Sequence, residues 1–173
     1  MQDRETYSKQ IKAFIEKERS FRYLELSGIP LENLDLSERE FWFCNFSHSR
    51  FSNVRFAKSK FVLSFFDFSS FSDCRWEEVD ARLTVFAGSK MQSCSFIDSD
   101  MLRCSFVGIS LLGGRFEGID LYDSRFTNSI LEKTEFRDSN LKRTHFKKSK
   151  LIQVTFSSSN VEEAYFEQVE RYE

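Results

Sequence analysis

From Leu26 to Phe166 an apolar residue returns at every fifth position, and the residues between are mostly polar. In the stretch from Phe116 to Leu141 the file is Phe116, Leu121, Phe126, Leu131, Phe136 and Leu141. Neither regular element accounts for this spacing. A strand alternates faces with period two, so a step of five throws successive apolar residues to opposite sides. An α-helix advances about 100° per residue, so five residues rotate the side chain by roughly 140° and build no stripe. The apolar residues can share one interior only if the backbone turns by a fixed angle in every five residues and winds around them. The register does not slip through 29 consecutive units.

A second file lies two residues before the first and is small or apolar almost throughout: Cys44, Ser49, Val54, Ser59, Ser64, Ser69, Cys74, and so on to Val169. Each unit therefore sends one large and one small residue inward and three residues outward. The repeat does not cover the first turns of the chain. There Asp3 reads as an N-cap for a helix over about Arg4 to Ser20, with Tyr7, Ile11, Phe14 and Ile15 along one face. A solenoid exposes apolar core at its ends, and this helix is the expected N-terminal cap. At the other end Val161, Tyr165, Val169 and Tyr172 have helix spacing, while Ala164, Phe166 and Val169 continue the repeat.

Units such as SRFTN, SNLKR and SSFSD have a small residue, a polar residue, Leu or Phe, and two variable positions. In this the chain resembles the pentapeptide-repeat family over roughly Leu24 to Val169. The resemblance implies an all-β solenoid, a right-handed quadrilateral parallel β-helix with four units per coil and about seven coils. At strand spacing of about 4.8 Å the rod would be on the order of 35 Å long. The implied organisation is a helical cap over residues 1–23, the β-helix over 24–169 and a short tail over 170–173. If four units make a coil, residues twenty apart stack. One such column is Phe46, Phe66, Phe86, Phe106, Phe126, Phe146 and Phe166, and the column opposite is Phe56, Trp76, Phe96, Phe116, Phe136 and Phe156. The other two columns turn from Phe to smaller aliphatic residues, as a narrow, densely filled interior requires. Ala81, one unit after Trp76, reads as local volume compensation.

Composition narrows the function. The chain has 173 residues, among them 21 Phe and one Pro, and 25 basic against 27 acidic residues give a net charge of −2. That balance favours neither direct nucleic-acid binding nor a strongly acidic mimic. No apolar run is long enough to span a membrane. The opening MQDRETYSKQIKAF is too polar for the apolar core of a secretory signal, so a cytoplasmic protein is expected.

The residues that usually carry chemistry fall into the repeat. His48 and His145 take outward positions far apart in sequence, with no metal-ligand spacing. Cys44, Cys74, Cys94 and Cys104 occupy the small inward file, where Cys serves as a compact filler. Cys74 and Cys94 stack on adjacent coils at a separation compatible with a disulfide, although buried free thiols suit a cytoplasmic chain better. Gly88, Gly108, Gly113 and Gly118 share the second variable position, where a type II turn favours a positive φ. No enzyme and no cofactor is expected.

The outward positions carry more information. Trp42, Phe43, Val62, Leu63, Leu83, Leu102 and Tyr122 fall on one face, and Phe65 and Phe68 on the next, so they form one apolar patch edged by Asp80, Asp100 and Asp120. Three explanations stay open: an interface for a protein partner or a second copy, a surface covered by the N-terminal helix, or a register error at one corner or an unremarkable surface. Lys133, Arg137, Lys142, Arg143, Lys147, Lys148 and Lys150 make a basic flank, followed by a glutamate-rich end. The expected function is a non-catalytic scaffold that binds a protein through the apolar face, with dimerisation through that face or the C-terminal coils also open. The alternative that the resemblance implies is a DNA mimic that protects DNA gyrase or topoisomerase IV and confers quinolone resistance. The near-neutral charge and the absence of loop insertions count against it.

Overall fold

The structure is a computed structural model that describes residues 2–173, without the side chains of residues 2–5, 7 and 8. One helix, α1 (Gln2–Lys17), is followed by short strands that pair only in parallel. Every pairing joins residues twenty apart: Phe21 with Phe41 with Phe61, Phe51 with Phe71 with Met91, Phe116 with Phe136 with Phe156. The single bridges between strands keep the same step, as in Asp80 with Asp100 with Asp120. Twenty residues are four pentapeptides, so the chain is a four-sided parallel β-solenoid, as the stacking columns predict. Pairing starts at Ser20–Arg22 and ends at Glu170–Tyr172, which gives close to eight turns rather than about seven.

The turn that bends each unit is visible in the backbone. A positive φ occurs at every fifth residue from Tyr23 to Gln168, always two positions after the large inward residue. In turns such as Phe46 to Ser49 and Phe126 to Ser129, the N–H of the fourth residue returns to the C=O of the first at 3.2 Å. A type II turn puts its positive φ at the third residue, where these lie. The expectation for the four glycines therefore extends to the whole file, most of which is not glycine. A left-handed residue with a Cβ costs about 1–2 kcal/mol, least for Asn and Asp. Asn33, Asn53, Asp73, Asp98, Asp123, Asn128 and Asp138 fit that preference; Phe43, Leu63, Phe68 and Leu83 do not.

Inside, the rings are stacked in file. Phe66, Phe86, Phe106 and Phe126 follow one another at centroid separations of 5.1, 4.9 and 4.7 Å with planes within 6°. Phe96, Phe116 and Phe136 also stack, at 4.6 and 4.7 Å with planes 5° and 17° apart. Between the two files the contacts are edge to face, as for Phe126 and Phe136 at 85°. Both arrangements suit the aromatic quadrupole. The small inward file proves to be more than filler. Ser129 accepts the N–H of Ile109 at 3.2 Å and donates to the C=O of Phe106 at 2.7 Å, and Ser49, Ser69 and Ser149 make equivalent bridges. Hydroxyls in this file satisfy backbone groups of the coil before, which is why serine outnumbers alanine there.

The two ends differ. Helix α1 stops at Lys17, short of the expected Ser20, because Ser20–Arg22 is already a strand. Asp3 lies within the helix rather than before it, and its side chain, like that of Tyr7, is outside the described residues. Ile15 is fully buried against the first coil, and the Arg39 guanidinium donates to the C=O of Ile15 at 2.9 Å and of Glu16 at 3.2 Å, closing the helix C-terminus. At the far end Val154, Phe156, Phe166 and Val169 are only partly buried, and Val161 is exposed. Among the described residues no helix is long and apolar enough to cross a membrane.

Candidate protein-interaction surface

Side chains twenty apart stand above one another, so each outward position forms a straight column along the rod. The column at one corner begins Tyr23, Phe43, Leu63 and Leu83 and continues as Arg103, Asp123, Arg143 and Glu163. The four apolar members are all exposed, Tyr23 most of all at 74%, and its ring stacks on Phe43 at 5.2 Å. On one side of this ridge Trp42, Val62, Leu102 and Tyr122 are half-buried; on the other Phe65 is exposed. Phe68 stands at the next corner, 64% exposed, with its ring between His48 and Gly88. A Cβ on Gly88 would meet that ring at 2.5 Å, so the glycine lets Phe68 lie down along the corner.

The nine predicted residues are therefore brought together on two adjoining faces, and Tyr23 extends them by one coil. Phe21 and Tyr23 carry the repeat into the segment expected to be helical cap, where Ser20–Arg22 already pairs with the next coil. Helix α1 closes the end of the rod through Ile15 and leaves these side chains open, which removes the explanation that it covers them.

Beside the ridge runs the ladder Lys60, Asp80, Asp100, Asp120 and Asn140. Arg82 reaches across it, with Nε 2.9 Å from Asp80 and Nη2 3.1 Å from Asp100, and Lys60 lies 3.6 Å from Asp80. Asp120 takes neutral donors, the Asn140 amide and the Tyr122 N–H, each at 3.0 Å. Burial, and then the like charges of Asp80 and Asp120 against the pull of Arg82, leaves the Asp100 carboxyl above its ordinary pKa.

The basic residues of the C-terminal half do not gather on one face. They are spread around the coil, and most are paired in place. Lys142 lies 3.0 Å from Glu162, Arg143 3.8 Å from Glu163, and Lys147 2.7 Å from Glu167, each one coil apart. Arg137 meets Asp138 and Lys133 meets Glu132 at 3.3 and 3.9 Å, while Lys150 sits over the Tyr172 ring. Lys148 makes no ion pair among the described residues. Basic and acidic segments that look separate in sequence thus cancel locally.

The four cysteines are buried and unbonded. Burial pushes Cys104 up to about 12, and Cys94 is also raised, by its hydrogen bond with Cys74 and by burial, so neither is a thiolate nucleophile. Among the described residues no group of three or more His, Cys, Asp or Glu is placed to hold a metal ion.

A family model described as a pentapeptide repeat region matches residues 99–172, the half of the solenoid in which the unit is most regular. Over those residues the chain carries pentapeptide repeats. Two trypsin-treated forms of QnrB1, a plasmid-mediated fluoroquinolone resistance protein, superimpose on it with TM-scores of 0.53 and 0.51 at 16% and 15% identity. They cover 88% of this chain and 91% and 89% of their own. HetL, a pentapeptide repeat protein involved in heterocyst differentiation regulation from the cyanobacterium Nostoc, matches at 13% identity and a TM-score of 0.31, over 92% of this chain and 94% of its own. At such identities the likeness is one of fold. No curated protein matches the sequence.

Proposed function

We propose that this protein is a non-catalytic scaffold that binds a protein partner through the ridge Tyr23, Phe43, Leu63 and Leu83 with its neighbours Phe65 and Phe68. The observation that carries the reading is exposed apolar bulk at a backbone position that disfavours it. The left-handed φ of Phe43, Leu63, Phe68 and Leu83 works against stability, and their exposure works against solubility, so neither explains the residues present. A fully open aromatic ring offers about 150–250 Å². At their fractional exposures these six side chains present on the order of 500 Å², near the upper end for a monomer and below the ~800 Å² per partner of a standard stable interface. A modest, reversible complex fits that area. Leu63→Asp combined with Phe68→Ser should leave the far-ultraviolet circular dichroism and melting unchanged while abolishing capture of the partner from cell extract. Unfolding of that variant, or undiminished capture, would remove the proposal.

A second reading draws on the fold shared with a fluoroquinolone resistance protein: binding to DNA gyrase or topoisomerase IV. A supercoiling assay with and without quinolone tests it, and no effect at micromolar protein excludes it. Self-association through the partly buried Phe156 and Phe166 at the open C-terminal coil is a separate expectation, read by sedimentation. Local cancellation of the basic residues argues against direct nucleic-acid binding.

A further inference from the structure

Between the corner ridge and the aspartate ladder lies a cleft of about 330 Å³ lined by Arg82, Leu83, Leu102, Arg103 and Tyr122. Its floor is apolar: the Leu83 and Leu102 side chains and the Tyr122 ring. Its two arginines are already engaged, Arg82 with Asp80 and Asp100, and Arg103 with Asp123 at 3.4 Å. The ladder along its rim is short of positive charge, since two cations, Lys60 and Arg82, stand against three carboxylates and reach only Asp80 and Asp100. No cation among the described residues pairs with Asp120. One oxygen of Asp100, Oδ1, is shut off from water with no hydrogen-bond partner. Oδ1 of Asp80 is also hidden; it lies 2.9 Å from Arg82 Nε but off the line of the N–H, so it feels the charge without a hydrogen bond. The Asp100 side chain still keeps 37% of its surface open, and with Oδ1 hidden it is the other oxygen, shared with Arg82, that a donor arriving from outside reaches.

We propose that this cleft docks a segment of a partner protein in which a large apolar side chain is followed closely by lysine or arginine. The apolar group seats on Leu83, Leu102 and Tyr122, and the cation closes the step between Asp100 and Asp120. Apolar floor and missing positive charge lie side by side, so one short segment satisfies both, and neither a purely acidic nor a purely apolar segment does. The inference rests on the partner-binding reading above and names the chemistry of what is bound.

The test is selection of displayed random dodecapeptides on the full-length chain, followed by fluorescence anisotropy of the enriched peptides. Enriched sequences should pair Leu, Phe or Met with a nearby Lys or Arg. Their affinity should fall by about tenfold or more in Asp100→Asn/Asp120→Asn and in Leu102→Ser. It should be unchanged in Lys148→Ala, with all three variants melting as folded proteins. Enrichment of acidic peptides, or of none, overturns the proposal. So does an affinity that ignores the cleft variants but is lost in Leu63→Asp/Phe68→Ser, an outcome that leaves the scaffold reading standing. Sedimentation of the free chain supplies the remaining arm: if it dimerises and the cleft variants abolish that, the occupant is a second copy and the peptide proposal fails.

Discussion

Phe106→Ala places a hole at the centre of the rod, and its cost follows from the packing. The ring is fully buried and lies between Phe86 at 4.9 Å and Phe126 at 4.7 Å. Truncating a buried Phe to Ala costs about 3–5 kcal/mol, and loss of two stacked neighbours puts this site in the upper part of that range, about 4–5 kcal/mol. Relaxation is limited, because the coils above and below are held at strand spacing by continuous pairing. The control is Phe156→Ala in the same solenoid. Phe156 is only partly buried, stacks on Phe136 alone at 5.2 Å, and has edge contacts to Phe146 and Phe166 near 5.6 and 5.7 Å. About 2 kcal/mol is expected there. Urea unfolding followed by tryptophan fluorescence should show the midpoint of Phe106→Ala falling at least twice as far as that of Phe156→Ala, with similar slopes. Equal losses at the two positions, or a loss below about 1 kcal/mol at Phe106, would refute the stacked-column account.

Lys148, in the left-handed file and without an ion pair among the described residues, should gain stability as Lys148→Gly. Relief of about 1–2 kcal/mol of backbone strain outweighs about 0.5–1 kcal/mol of glycine entropy, and a raised melting temperature would show it. Gly118→Ala should go the other way, since its Cβ would press on the Asp98 carboxylate. Ser129→Ala removes the hydroxyl that bridges the N–H of Ile109 and the C=O of Phe106, leaving only the long turn bond between them at 3.4 Å, and a loss of about 1–3 kcal/mol in urea unfolding is expected. Asp100 has its pKa raised by folding, so the folded chain holds that proton more tightly and ionisation of the group costs stability. Asp100→Asn should therefore melt higher than the parent at pH 7. The advantage should shrink as pH falls through the raised value towards 3.8, the ordinary one, and an unchanged difference across that window would refute the assignment.

The core was legible because one file of large residues and one of small residues keep step through the whole solenoid, and twenty-residue stacking follows from them. Glycine at four turn positions betrayed the positive φ, but the same φ at Phe43 and Leu63 carries no local signal, since nothing in their identity suits it. The serine bridges were hidden for a different reason: a small residue facing inward reads as filler until the coil beneath supplies an N–H and a C=O. Tyr23 was lost to the assignment of its segment to the helical cap. The charged half misled in the opposite sense, because Lys142 and Glu162 look like members of two blocks until they are seen to be neighbours.

The four-sided winding also restricts how such a chain can change length. Inserting or deleting a single pentapeptide keeps every large residue inward, yet it rotates all that follows by a quarter-turn. Leu83 would then stand over a different face from Leu63, and the ridge would be cut in two. Only changes in steps of twenty residues leave the columns aligned, so the ridge lengthens or shortens by whole coils or is broken.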